Sequence, residues 1–371
     1  MSSLPVSCAT ATFMGLLLAA PSSALAGECE GEEGECSCNT PTFQPVALVQ
    51  LWATAWDQDL DPQADPAGYG DPEDDPGFKI RRARLGGKGS LGYGFDYEMV
   101  IDAGSPYDAW KEAVTTVHLH DAKIGWSKGG LTLGIGQQKV PYSREALISS
   151  GQIVFTERAV ATEHMVPDRE TGLTAGYRWN GLGLDAGIFN GSGSFLGDDN
   201  FGFLSAGRLS YTNADAGQDL LTWGELDGLV YGVGANGFYN DDLSTSTMAV
   251  GGDVIVRVAG LSALVEGHWA NIQPTSTDVA PADVLDGTPR LGLTGQLGYS
   301  FGLFENALRF SMYDDDMDTE DNGDIWELYG GTTVHLADDH ARLGIGYVHR
   351  HETAGQTLPN DTIRLWVQGK Y

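Results

Sequence analysis

Basic residues are scarce in this chain. Its 371 residues include 21 Lys and Arg against 51 Asp and Glu, a formal net charge of −30. Nucleic acid is therefore not an expected partner, because its recognition depends on Lys and Arg neutralising phosphates. Docking on anionic headgroups through a basic patch is excluded on the same ground. Long apolar runs are missing too. Beyond residue 26 no stretch of about 18 apolar residues occurs, so no transmembrane helix is expected. Membrane strands need only half as many apolar positions and stay open as a reading. Catalytic signatures are absent: there is no HExxH, no GxSxG and no P-loop. Gly134-x-Gly136 lacks the following helix that a nucleotide loop needs. Neither an enzyme nor a cofactor is expected.

Cysteine is also rare, with four in the chain. Cys8 precedes an apolar run from Ala9 to Ala20, which Pro21 and Ser22 break. Ala24-Leu25-Ala26 then supplies the small-x-small pattern of a signal-peptidase site. Residues 1–26 read as an export signal, cleaved after Ala26. Residues 27–42 hold Cys29, Cys36 and Cys38 among five Glu and read as a solvated periplasmic tail in an oxidising compartment.

From residue 43 the chain alternates with a period of two. Tyr93, Phe95, Tyr97, Met99 and Ile101 interleave with Gly94, Asp96, Glu98 and Asp102. Leu291, Leu293, Leu297, Tyr299 and Phe301 do the same with Gly292, Thr294, Gln296, Gly298 and Ser300. Sixteen such segments, about ten residues each, suit residues 43–371. Short turns such as Asn180-Gly181 and Ala259-Gly260 alternate with long connections at 57–77, 138–169, 190–201, 271–290 and 314–324. The polar face is rich in glycine and in charges of both signs, which suits a wet lumen rather than a solvated exterior. The expected fold class is all-β: a transmembrane antiparallel β-barrel in outer-membrane lipid. The last strand alternates Ile363, Leu365, Val367, Gly369 and Tyr371, and such an aromatic end is what the barrel-assembly machinery reads. Trp126, Trp179, Trp269, Trp326 and Tyr347 sit near strand ends, as interfacial rings do.

Charge is distributed unevenly. Residues 57–75 hold eight acids and residues 314–324 hold seven, with no Lys or Arg in either. Asp57, Asp59 and Asp61, and again Asp314, Asp316 and Asp318, place carboxylates at alternate positions, as calcium loops do. The twelve-residue loop with its bidentate Glu is absent, so structural calcium in the loops is suggested by the carboxylate spacing alone. The strands are more balanced. Arg178, Arg208, Arg257 and Arg309 fall on the face turned to the lumen, opposite acids such as Asp185, Asp253, Glu266 and Glu327. His118-x-His120 and His349-x-His351 each share a strand face, where a pair either ligates a metal or sits at an interface.

Two stretches, FKIRRARLGGKGSLGYGFDYEMVIDAG at 78–104 and 121–177, resemble the phosphate-selective porin O/P family. The resemblance runs through Arg81, Arg82 and Arg84, the strand ending Gly136-Gln137-Gln138-Lys139-Val140-Pro141-Tyr142, Glu157-Arg158 and Pro167-Asp168-Arg169. It implies a sixteen-stranded homotrimeric barrel of the Gram-negative outer membrane, with positions 138–169 folded inward as a constriction loop. Arg144, Glu157, Arg158 and Arg169 would narrow and charge that constriction, as charged rings do in pores. The implied function is passive diffusion of ions and small polar solutes, phosphate or other anions among them. The acidic rims point to cations instead, and a non-conducting structural or adhesive barrel is the competing class.

Overall fold

The computed structural model describes residues 40–58, 77–104, 117–194, 200–214, 223–275 and 287–371, the last without 322, 338, 356, 358 and 359. The signal segment and most of the tail lie outside the described residues. Sixteen strands run in chain order: β1 Gln44–Gln58, β2 Gly77–Gly92, β3 Phe95–Asp102, β4 His118–Lys128, β5 Leu131–Lys139, β6 Arg169–Trp179, β7 Leu182–Phe189 and β8 Leu204–Thr212. They continue as β9 Leu229–Asp241, β10 Thr245–Val258, β11 Leu261–Pro274, β12 Thr288–Phe301, β13 Phe304–Asp314, β14 Ile325–Leu336, β15 Ala341–Glu352 and β16 Asn360–Lys370. Each pairs antiparallel with its sequence neighbours, and β1 closes on β16.

The period of two becomes an outside and an inside. Along β12, Leu293, Leu297, Tyr299 and Phe301 are exposed on the outer wall. Thr294, Gln296 and Ser300 are buried between them, facing inward. A barrel in lipid needs this division, and closure leaves no strand edge unpaired there. Short turns lie at one end. Asn180 and Gly181 take φ of 48° and 82°, and Ala259 and Gly260 take 47° and 87°. Positive φ at both central positions matches the twist of a hairpin.

That end has one long connection which the spacing of the sequence did not single out, 213–228 between β8 and β9. Its described part folds against the barrel wall. Trp223 stacks on His335 with ring centroids 4.2 Å apart, and Arg257 Nη2 donates to the Trp223 carbonyl at 2.8 Å. At the other end β9 and β10 are joined by residues 242–244 alone.

Three β-bulges interrupt the alternation near the first strands, one of them at Leu91 beside the β2–β3 turn. Gln50 pairs with Arg82 and Leu51 with Ile80, which leaves Arg81 as an extra residue in β2. Val100 pairs with Asp121 and Ile101 with Leu119, which leaves His120 as an extra residue in β4. A bulge re-aims a side chain that strict alternation would send elsewhere.

The turn geometry is testable. A Cβ at Gly181 would lie 2.2 Å from the Thr212 carbonyl oxygen. Gly181→Val is expected to cost about 1–3 kcal/mol of barrel stability, measured by urea unfolding in detergent, whereas Asn180→Gly is expected to change little.

Candidate functional site

The β5–β6 connection carries two short helices, α1 Arg144–Leu147 and α2 Val160–Met165. Ser143 caps α1, its Oγ accepting from the Ala146 N–H at 3.1 Å. Residues 138 and 139 extend β5 and Arg169 opens β6, so the connection proper is 140–168. It lies inside the barrel, as the resemblance implied.

Buried charge fixes it there. Glu266 on β11 is 1% exposed and accepts from the backbone N–H groups of Arg144 and Glu145 at 2.8 and 3.0 Å. Asp253 on β10 binds Arg144 Nε and Arg208 Nη1, and Arg208 also donates to the Tyr142 carbonyl. Glu145 accepts from the Ala159 N–H, the Thr162 hydroxyl and Arg309. Arg309 reaches on to the carbonyls of Glu157 and Arg158 and to Glu327. Lys139 Nζ donates to the carbonyls of Ala146, Leu147 and Ile148. Apolar contacts add to this: Val154 and Phe155 pack with Ala307, Tyr329 and Val348, and Phe155 stacks on Tyr329 with centroids 4.2 Å apart.

The wall opposite is basic. Glu157 is gripped by Arg81 Nε at 2.7 Å and Arg82 Nη2 at 2.6 Å. Arg84 binds Asp102 at 2.7 Å and also donates to the Ser150 hydroxyl. Trp52 faces inward, 1% exposed, with the Arg364 guanidinium 4.1 Å from its ring centroid and Lys79 and Arg81 farther out. Cations gather on an indole face because the ring quadrupole attracts them. Between this wall and the loop lies a cavity of about 330 Å³. Arg81, Arg82, Arg84, Arg158 and Arg169 line it, with Asp102, Glu157, Glu163 and Asp168 as carboxylates and His118 and His120 beside them.

The loop acids titrate differently. Burial pushes Glu157 upward, but Arg81 and Arg82 more than offset it and hold it below the usual carboxylate range. Asp168 is held low in the same way by Arg169 and Arg158. Glu163 is raised to about 7 by burial, which Arg158 opposes and Glu157 reinforces.

Of the four expected constriction residues, Glu157, Arg158 and Arg169 line this cavity. Arg144 does not: it is 1% exposed and spent on Asp253, so it anchors the loop. Arg208 and Arg309 hold the same loop, and Arg257 holds the 213–228 connection. Arg178 is the more exposed of the lumen arginines and forms a bidentate pair with Asp185 at 2.8 Å for both contacts. Among the described residues the carboxylates of Asp314, Asp316 and Asp318 do not gather into one cluster; Asp316 accepts instead from the Asp318 N–H. Asp59 and Asp61 lie outside the described residues, and only the backbone of Asp57 is described. The sequence pattern did not reveal the inward Trp52 or the bulge at Arg81, but it did put His118 and His120 on one face.

Residues 55–224 match the family described as Phosphate-selective porin O and P. That span holds β2 to β8 and the inward loop, and it covers the residues that carried the resemblance. Together with the closed barrel, the match places the chain in a bacterial outer membrane. An uncharacterised protein of Caulobacter vibrioides is 27% identical over 144 residues, 36% of this chain. The match spans 27% of that relative's length. Among solved structures, the fold is similar to the anion-selective porin from Comamonas acidovorans, at 10% identity and a TM-score of 0.63, covering 89% of this chain and 100% of that one. The outer membrane channel DcaP of Acinetobacter baumannii is similar at 13% identity and 0.57, covering 90% and 99%. OmpT of Vibrio cholerae, in its trimer form, is similar at 9% and 0.55, covering 90% and 100%. At such identities the likeness is one of fold.

A buried donor left without its acceptor costs about 1–3 kcal/mol, and Glu266 accepts from two. Glu266→Ala is therefore expected to free the loop while the barrel stays closed. Protease cleavage within 143–168 should rise sharply, with heat-modifiable migration unchanged.

Proposed function

We propose that the protein is an outer-membrane diffusion channel for ions and small polar solutes, with a constriction biased towards anions. The observation that carries this reading is the cavity flanked by the inward loop and by the arginines of β2. Five guanidinium groups face four carboxylates there, and one of those carboxylates, Glu163, holds its proton up to about pH 7. Rings of charged side chains set selectivity in such pores. The acidic loops at the rims pull the other way and concentrate cations at the mouths. The narrowest stretch decides, because a solute is there desolvated and close to the charges, whereas rim charges are screened over about 8–10 Å at physiological salt.

The anion-selective porin of Comamonas acidovorans supports the reading by its fold, and the trimer form of OmpT supports a homotrimer. Export through residues 1–26 and recognition of the strand ending at Tyr371 by the assembly machinery complete it. A barrel closed by its own loop is the second reading, favoured by how many strands the loop touches.

Reversal potential in a planar bilayer under a potassium chloride gradient tests the proposal. At pH 6 an anion-selective potential is expected, with inorganic phosphate reducing the chloride current. As pH rises through about 7, Glu163 becomes charged and the potential should move towards cations. Glu163→Gln should abolish most of that movement. A cation-selective potential at both pH values would mean that the rims set selectivity, and an absence of current steps would favour the closed barrel.

A further inference from the structure

The bulges at Arg81 and His120 face the same cavity, and the second brings together a donor set that the channel reading does not use. Asp102 on β3 and His118 on β4 are direct cross-strand partners. His120, the bulged residue, stands two positions from His118 and shares its face of the wall. One ligand atom from each of these three residues lies within 4.8 Å of the others. His120 is 8% exposed, and its Nε2 is buried without a hydrogen bond. A buried imidazole nitrogen left unpaired in a polar cavity is costly, and a bound ion would satisfy it. Asp121 Oδ2 lies 3.8 Å from that nitrogen, so a second carboxylate stands next to the trio.

We propose that Asp102, His118 and His120 form a transition-metal site in the constriction wall, with Asp121 as the nearest fourth donor. Two imidazoles with carboxylate oxygens suit borderline divalent ions such as Zn²⁺, Ni²⁺ or Cu²⁺ rather than calcium. The outer partners are in place. Arg84 binds Asp102, and Arg169 binds Asp121 at 2.9 and 3.2 Å. These arginines neutralise the carboxylates when no ion is bound, so metal enters in competition with them. The site is thus reversible in character rather than structural. In the channel reading, on which this consequence alone rests, an ion here adds two positive charges beside the β2 arginines. It would lower cation current through the cavity.

The test is zinc binding by the refolded full chain in detergent, which involves no conductance. The wild type is expected to bind one more zinc ion, titrated through the micromolar range, than His118→Asn/His120→Asn. His118→Asn alone, at the less buried position, is expected to weaken that ion at least tenfold and replaces the double variant if it fails to refold. Zinc X-ray absorption on the loaded wild type needs no variant. Imidazole and oxygen scattering is expected, and a shell of sulfur alone, as the tail cysteines would give, overturns the proposal. Equal stoichiometry and affinity in wild type and variants overturns it too. Binding without any effect on bilayer current would count against the channel reading and leave the site standing.

Discussion

The inward loop depends on carboxylates that are almost wholly buried and held by donors of the protein itself. Glu266 holds the start of α1 by two backbone N–H groups, Glu145 ties the two helices together, and Glu157 spans to the arginines of β2. Each is nearly buried and each is satisfied by a donor from another part of the chain. Remove the loop and Arg309 loses Glu145, Arg208 the Tyr142 carbonyl and Arg81 Glu157; remove the arginines and buried carboxylates are left uncompensated. Such mutual dependence makes a network costly to half-satisfy. It fixes 140–168 across the lumen as one arrangement.

The same network divides the arginines into two kinds. Arg144, Arg208 and Arg309 are consumed in holding the loop. Arg81, Arg82, Arg84 and Arg169 also make ion pairs, and Arg158 donates to the carbonyls of Glu145, Ala146 and Ile148, yet all five border the open cavity. A strongly acidic chain can therefore carry a basic constriction. Net charge is dominated by the tail and by loops such as 57–75 and 314–324 rather than by the residues that line the cavity. Net charge speaks to solubility and long-range steering, whereas selectivity follows from the few groups a solute must pass.

Much of this was legible in the sequence because it is written locally. Alternation of Leu293, Leu297 and Tyr299 with Thr294, Gln296 and Ser300 gives strand and face together. Asn180-Gly181 and Ala259-Gly260 announce their hairpins through positive φ. The inward loop came from a resemblance rather than from any pattern. The hidden features depend on register. Nothing in the letters around Arg81 or His120 says that one residue is extra, and a shift of one residue turns a side chain from one face to the other. For the same reason nothing local marked Trp52 as an inward ring, although it faces Arg364 across the β1–β16 seam. Arg144 looked like a pore residue because its partner Asp253 lies 109 positions away.

The central claim is that the loop stays docked on the wall while the protein works. The Ala161 N–H donates to Ser311 Oγ at 3.2 Å, and both residues are fully buried. The most direct measurement is single-channel conductance of Ala161→Cys/Ser311→Cys, with the tail cysteines replaced by serine, before and after oxidation. The account predicts that the disulfide forms readily and leaves conductance and ion preference unchanged. Failure to cross-link, or a fall in conductance once the link has formed, would mean that the loop leaves the wall in the conducting state and would contradict it.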